Sequence, residues 1–305
     1  MESLLSLAFD NLSSFDGSKI KKGLRQVEGL LAQICLAGQG SPKKQGENQQ
    51  QPPRRMLADL SPDPAFREFF KLQEGFEWNV AQRLLTTLDW LVVRGGDGSY
   101  DMLIVNALDL IQGVLLLHPP SRVLFQRSVH MNVRYARHSS FPASSNMYPH
   151  LQLLLDLLEP INSPAIQCAT IITLVVALLD MPQNIRVFEA LDGLLTVTSL
   201  FKSRETGREV KFRLTEFLYF YLTPETPNIP KPDRTSVIAG PELIPGSPGK
   251  SKLLASGGRQ RSKSESGNTL SVDAKKQHLD RYLPGVVDEL LKDLDTYKPF
   301  GGILS

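Results

Sequence analysis

The sequence predicts an all-α protein, and three observations carry that prediction. Apolar residues recur at steps of three and four, as at Ile20, Leu24, Val27, Leu31 and Ile34, the stripe of a helix with one buried face. No segment sustains two-residue alternation, and no Asn-Gly or Asp-Gly turn joins two Val/Ile/Tyr runs, Asp97-Gly98 coming nearest; strands are expected to be few or absent. The run from Leu115-Leu116 to Phe125 also overlays the run from Leu178-Leu179 to Phe188 at a shift of 63 residues, with Pro119 on Pro182. An armadillo or HEAT unit is roughly 40 to 47 residues long, and a Ser/Pro/Asn-rich loop between the copies accounts for the excess. The expected architecture is an armadillo/HEAT-like helical solenoid with disordered insertions and a C-terminal amphipathic helix.

The N-terminus puts Glu2 ahead of a short apolar run, with no basic n-region and no small-residue cleavage site, so no signal peptide is expected. After the turn Asp16-Gly17-Ser18 the stripe predicts a helix over 18–36. From Gly38 to Arg55 there is no large apolar side chain to offset the entropy of ordering, and a flexible insertion is expected over about 38–60. Phe76 to Val93 and Asp101 to His118 read as two helices joined by the breaker Arg94-Gly95-Gly96-Asp97-Gly98. No strand precedes that breaker and no Gly-Lys-Ser/Thr follows, so it reads as a turn and not a phosphate-binding loop. Pro119-Pro120 stops the second helix, a short helix is expected over Arg122 to Arg127, and 137–148 reads as a second insertion.

Helix resumes near Pro149. Ser163-Pro164 offers a capping hydroxyl and a proline at the first helical position, opening an uncharged helix that Met181-Pro182 closes. Apolar on every side, it is expected to be the central buried helix. The fifteen residues from Ala165 to Leu179 reach only ~22 Å against a ~30 Å hydrocarbon core, so no membrane insertion is expected. Thr206 and Glu209 form a possible capping box for a helix on which Val210, Leu214, Phe217 and Tyr221 share a face, and Thr223-Pro224 ends it. The helical domain is thus expected over 1–223.

Residues 224–276 carry nine basic against five acidic side chains among prolines, glycines and serines, and read as a disordered basic linker. No aromatic residues interleave the charges, so nucleic acid is not an expected partner. Over 277–305 helical spacing returns, interrupted at Pro284-Gly285 by a kink or by a helix restarting at Pro284. The face made by Leu279, Leu283, Val286, Val287, Leu290, Leu291 and Leu294 either docks back on the solenoid or lies in a partner's groove.

The 305 residues are 41% hydrophobic with a net charge of only +2, which excludes a fully disordered chain and a nucleic-acid binder driven by bulk charge. Two cysteines, Cys35 and Cys168, fit a reducing compartment, and both are expected to be buried and inert. The five histidines form no His-Glu-x-x-His and neither cysteine has a Cys-x-x-Cys partner, so no metal or cofactor is expected. A Cys-x5-Arg phosphatase loop is excluded because Leu174 stands six residues after Cys168 and Ser41 six after Cys35. His118, at a helix end, is expected to cap a free carbonyl, and Arg122 and Arg186 read as solvated. Ser41-Pro42-Lys43-Lys44 and Ser247-Pro248-Gly249-Lys250 both read Ser-Pro-x-Lys, the preference of a proline-directed cell-cycle kinase, and Arg259-Gln260-Arg261 precedes Ser264 as in a basophilic site. Ser41, Ser247 and Ser264 are therefore candidate phosphosites, each worth roughly −1.5 to −2 charge when modified.

Lys22-Gly23-Leu24-Arg25-Gln26-Val27-Glu28 and the run from Leu110 through Gly113 and His118-Pro119-Pro120 to Arg122 resemble the fungal cell division control protein 14 family. The resemblance continues through Asn184 to Glu189, through Lys211 to Leu222 and through Tyr282 to Gly301. That family is a septation initiation network component, distinct from the dual-specificity phosphatase of the same name. The resemblance implies a protein that is not an enzyme but a non-catalytic partner of a germinal-centre-type protein kinase. It also implies a role in cytokinesis and septum formation, in the cytoplasm with recruitment to the spindle pole body. Nothing carries over to Gly38–Arg55 or Arg137–Tyr148. Two rival readings stand beside it. A generic armadillo-type peptide adaptor would show an Asn-and-Trp ladder, which Trp78 and Trp90 do not make, and an enzyme with an unrecognised site would show polar groups spaced onto one helix face.

Overall fold

The computed structural model describes residues 1–36, 57–96, 98–126, 149–225 and 269–297, and no strand occurs among them. Helix α1 (Glu2–Leu12) leads to α2 (Gly17–Leu36), which Asp16 starts by accepting from the backbone N–H of Ser18 (2.8 Å) and Lys19 (3.2 Å). A 3-10 turn at Leu57–Leu60 precedes α3 (Pro64–Glu74), α4 (Val80–Arg94) and α5 (Asp101–Leu117). A longer 3-10 segment, Pro119–Gln126, follows α5. The chain continues with α6 (Pro149–Asp156), α7 (Pro164–Leu178), α8 (Pro182–Ala190), α9 (Gly193–Lys202) and α10 (Arg208–Leu222), then α11 (Val272–Asp280) and α12 (Val287–Tyr297).

One row of helices organises the packing: α2 lies against α5, α5 against α7, α7 against α10, and α10 against α12. Beside it α1 packs on α2, α4 on α5 and on α1, and α9 on α10. Helix α7 is the middle member, and eleven of its fifteen residues are buried. An uncharged, largely apolar helix is tolerated there because neighbours cover most of it. The matching stretches seen in the sequence hold in the backbone. Helices α5 and α7 start 63 residues apart, as do Pro119 and Pro182, and the intervening His118 (φ −130°, ψ 78°) and Met181 (φ −126°, ψ 78°) share one conformation. A second spacing emerges only here. Helices α6 and α9 start at 149 and 193, and α7 and α10 at 164 and 208, a step of 44 residues in both cases.

Several local expectations are corrected. The stripes at α1 and α3, eleven residues each, escape the sequence reading; α3 buries only Phe69 and Gln73, too few to show a period. Helix α4 begins at Val80 and not Phe76, because Asn79 accepts from the Gln82 N–H (2.8 Å) while Gly75 has already ended α3. The short helix expected at Arg122–Arg127 is the 3-10 segment, which Pro119-Pro120 begins. Ser163 makes no side-chain cap, and Thr206 turns back to donate to the Leu200 carbonyl (2.7 Å), leaving Gly207 at the start of α10. The first insertion does not extend to 60, since Leu57–Leu60 is a 3-10 turn and Leu60 is buried; its remainder and 137–148 lie outside the described residues. The basic linker is shorter than 224–276 at both ends, because the Glu225 side chain is buried and α11 begins at Val272. At the C-terminus there are two helices, and the second restarts at Val287 and not Pro284, because Gly285 sits at φ +80°.

Candidate interaction surface

The C-terminal face is spent inside the chain. Leu279, Leu283, Val287, Leu290 and Leu294 are buried in the common core, with Val286 and Leu291 half-buried against it. Tyr219 on α10 donates to Asp293 on α12 (3.1 Å), and Lys276 pairs with Asp288 across the α11–α12 turn. Beneath them lies a largely buried polar cluster. Glu225 Oε1 meets Arg186 Nη2 at 2.5 Å and Lys275 Nζ at 3.2 Å, while its Oε2 accepts from the Leu270 N–H (2.9 Å). Lys275 Nζ also donates to the Tyr221 and Thr223 carbonyls, both at 2.9 Å. Arg186 Nη1 reaches Glu189 (3.0 Å), which accepts in turn from the Tyr221 hydroxyl (2.6 Å). Burial holds the Lys275 ammonium below its ordinary range despite Glu225, and burial with the Glu189 carboxylate pushes the Tyr221 phenol far up.

Arg186 is thus paired and not solvated. Lys275 and Leu279 sit one turn apart on the same stripe, so a lysine at an apolar position was the available signal for the cluster.

A second polar knot lies at the end of α5. The His118 ring is buried, its Nδ1 2.8 Å from Ser121 Oγ and its edge against Phe70 with centroids 4.5 Å apart. Asn79 donates to Ser121 (3.1 Å) and to the Gln73 carbonyl (2.7 Å). His118 therefore packs and does not cap a carbonyl. Arg122, expected in solvent, is 5% exposed and donates to the Leu179 carbonyl (2.9 Å). Asn184 donates to the Arg122 (3.0 Å) and Ala177 (2.6 Å) carbonyls. The reason is the buried end of α7, whose last carbonyls need donors that water cannot supply.

Burial keeps the His118 imidazole below its usual range, against a smaller opposing pull from Glu74. Above about pH 6.5 neither state is protonated and its contribution to stability is complete. As pH falls below that value the unfolded chain takes up a proton that the folded chain resists, so stability declines. The melting temperature is expected to drop between pH 7.5 and 5.5, and His118→Gln is expected to flatten part of that drop; equal slopes in both proteins would contradict the assignment.

Two features face outward. Phe15, 69% exposed at φ 57°, stands 5.8 Å from Trp90, which is 5.9 Å from Tyr100 and carries Arg94 over its ring. Between the C-terminal halves of α2 and α5 lies an apolar groove of about 490 Å³, walled by Leu31, Cys35, Leu36, Leu60, Gly113 and Leu116, with Glu28 the one charged side chain among the described residues of its lining. Cys35 is accordingly half-buried and not buried; Cys168 is buried, and burial pushes its thiol up. Among the described residues no three His, Cys, Asp or Glu side chains gather as metal ligands, and no single helix is long and apolar enough to cross a membrane. Ser41, Ser247 and Ser264 lie outside the described residues.

The family model for cell division control protein 14, SIN component, matches residues 1–134 and 142–300. The chain belongs to this family. Cell division control protein 14 of Schizosaccharomyces pombe is 26% identical to it over 309 residues, covering 99% of this chain and 97% of the relative. No solved structure matches. The cell division control protein 14 family is a component of the septation initiation network (SIN) in cell division. The segments that resemble it fall on α2, on α5 and the 3-10 segment after it, on α8, on α10 and on α12, so four of the five helices of the central row carry them.

Proposed function

We propose that this chain is a non-catalytic subunit that binds a germinal-centre-type protein kinase in the septation initiation network, acting in cytokinesis and septum formation. The observation that carries this reading is the family match over nearly the whole chain. The 44-residue step and the single row of helices support an armadillo-like solenoid, whose neighbour-to-neighbour stacking yields a long surface for another macromolecule. An interface of about 800 Å² per partner is within the range such a surface supplies. The polar clusters at Glu225 and His118 face inward and bond chiefly to backbone and to one another, while His118 Nε2, Arg122 Nε, Asn184 Oδ1 and Arg186 Nε find no partner among the described residues; that inward facing suits a role in folding.

The protein acts in the cytoplasm and is recruited to the spindle pole body. Phosphorylation at Ser41, Ser247 and Ser264 adjusts its charge through the cell cycle. The test is co-expression of the full chain with the kinase of the same organism. Co-elution of the two on size exclusion, with no phosphate release by the chain alone, is the expected result; separate elution would overturn the reading. Point variants suit this test better than removal of 279–305, because that deletion strips the cover from α10.

A further inference from the structure

We infer that the α2–α5 groove is the seat of an amphipathic helix from the bound kinase, with a lysine or arginine beside its apolar stripe meeting Glu28. This rests on the kinase-binding reading above and names where that binding takes place.

The groove lies where the ends of α2 and α5 meet the turn that carries Leu60. Along the row α5 closes on α7 through helix-to-helix contact, whereas α2 and α5 leave about 490 Å³ between their C-terminal halves. Gly113 deepens it, since a β-carbon there would only just reach Leu31 (4.0 Å). Leu36 on one rim is 79% exposed and Leu116 on the other 38%, an uncovered apolar strip of the kind that marks a protein contact.

The lining selects the occupant. A small-molecule site carries several placed polar groups, and among the described residues this one has Glu28 alone as a charged lining residue. Both walls are helices whose backbone bonds are internal, so no edge is offered to an added strand, and apolar side chains spaced i, i+3/i+4, i+7 are what two helical walls of leucine accept. The segment 37–56 runs from α2 to the turn that carries Leu60, and from Ala37 to Arg55 its sequence offers no apolar stripe of its own. Glu28 asks the occupant for a cation.

The test measures affinity of the full chain for the full-length kinase, with circular dichroism melting and light scattering on each variant. Leu36→Asp and Leu116→Asp place charge on the rims, Ala32→Phe fills the floor, and Glu28→Lys reverses the charge. Leu195→Asp, 46% exposed on α9, is the control. Binding at least tenfold weaker for the first three, about threefold weaker for Glu28→Lys and unchanged for Leu195→Asp is the expected result. Wild-type protein that fails to bind the kinase overturns the proposed function itself. Wild-type binding that all groove variants share overturns only the groove. A change of oligomeric mass in the variants assigns the groove to a second copy, and lowered melting with unaltered kinase affinity assigns it to the chain's own segments; either contradicts the inference.

Discussion

Replacing Glu225 by alanine is expected to destabilise the chain by about 3–5 kcal/mol, the cost of leaving a buried charge without its partner. The side chains of Glu225 and Lys275 are 1% and 2% exposed, so the substitution leaves a largely desolvated ammonium with the Tyr221 and Thr223 carbonyls but no carboxylate against it. Arg186 suffers less, since Glu189 remains beside it at 3.0 Å. The loss should be local first. Glu225 also holds the Leu270 N–H, so α11 and α12 should exchange amide protons faster than α5 or α7. The double variant Glu225→Leu/Lys275→Met removes both charges and is expected to recover most of the stability, because a well-packed apolar pair often matches a buried ion pair. Urea unfolding of the two singles and the double closes the cycle. A Glu225→Ala loss under about 1 kcal/mol would mean that Lys275 keeps water or another acid near it.

The second large effect sits under α9. Phe188 is fully buried, with its ring 5.5 Å from Phe217, and truncation to alanine is expected to cost about 3–5 kcal/mol. The mirror experiment is Gly193→Ala. A β-carbon at Gly193 would fall on the Phe188 ring, and Phe217 prevents the ring from retreating. Overpacking of that kind costs about 1–3 kcal/mol. In Phe188→Ala/Gly193→Ala the new methyl enters the space the ring has left, so the two losses should sum to more than the double variant shows. Additive losses would mean that ring and glycine do not meet.

What could be read in the residues follows from range. Helix α2 and helix α7 announce themselves because their stripe or their lack of charge is local, and α10 shows Val210, Leu214, Phe217 and Tyr221 on one face, all buried. The Glu225–Lys275 pair is hidden because its members stand 50 residues apart and both fall in a stretch whose composition speaks for a linker. Arg122 and Arg186 look like surface arginines until the buried end of α7 and the carboxylates of Glu189 and Glu225 are in place. The C-terminal stripe was legible as a face needing cover, but the sequence leaves open whether α10 or a partner covers it. The groove follows the same rule. Leu36 and Leu116 are ordinary stripe leucines, and only the separation of α2 from α5 leaves them uncovered. The 44-residue step escapes notice because α6 and α9 are only 8 and 10 residues long and share little beyond their spacing.

The claim beneath all of this is that the row of helices offers its surface to another protein. Hydrogen–deuterium exchange on the full chain, alone and saturated with the kinase, tests it most directly. The account expects slowed exchange in the C-terminal halves of α2 and α5, with α11 and α12 unchanged because α10 already holds them. Exchange that is the same with and without the kinase in every described helix would contradict it.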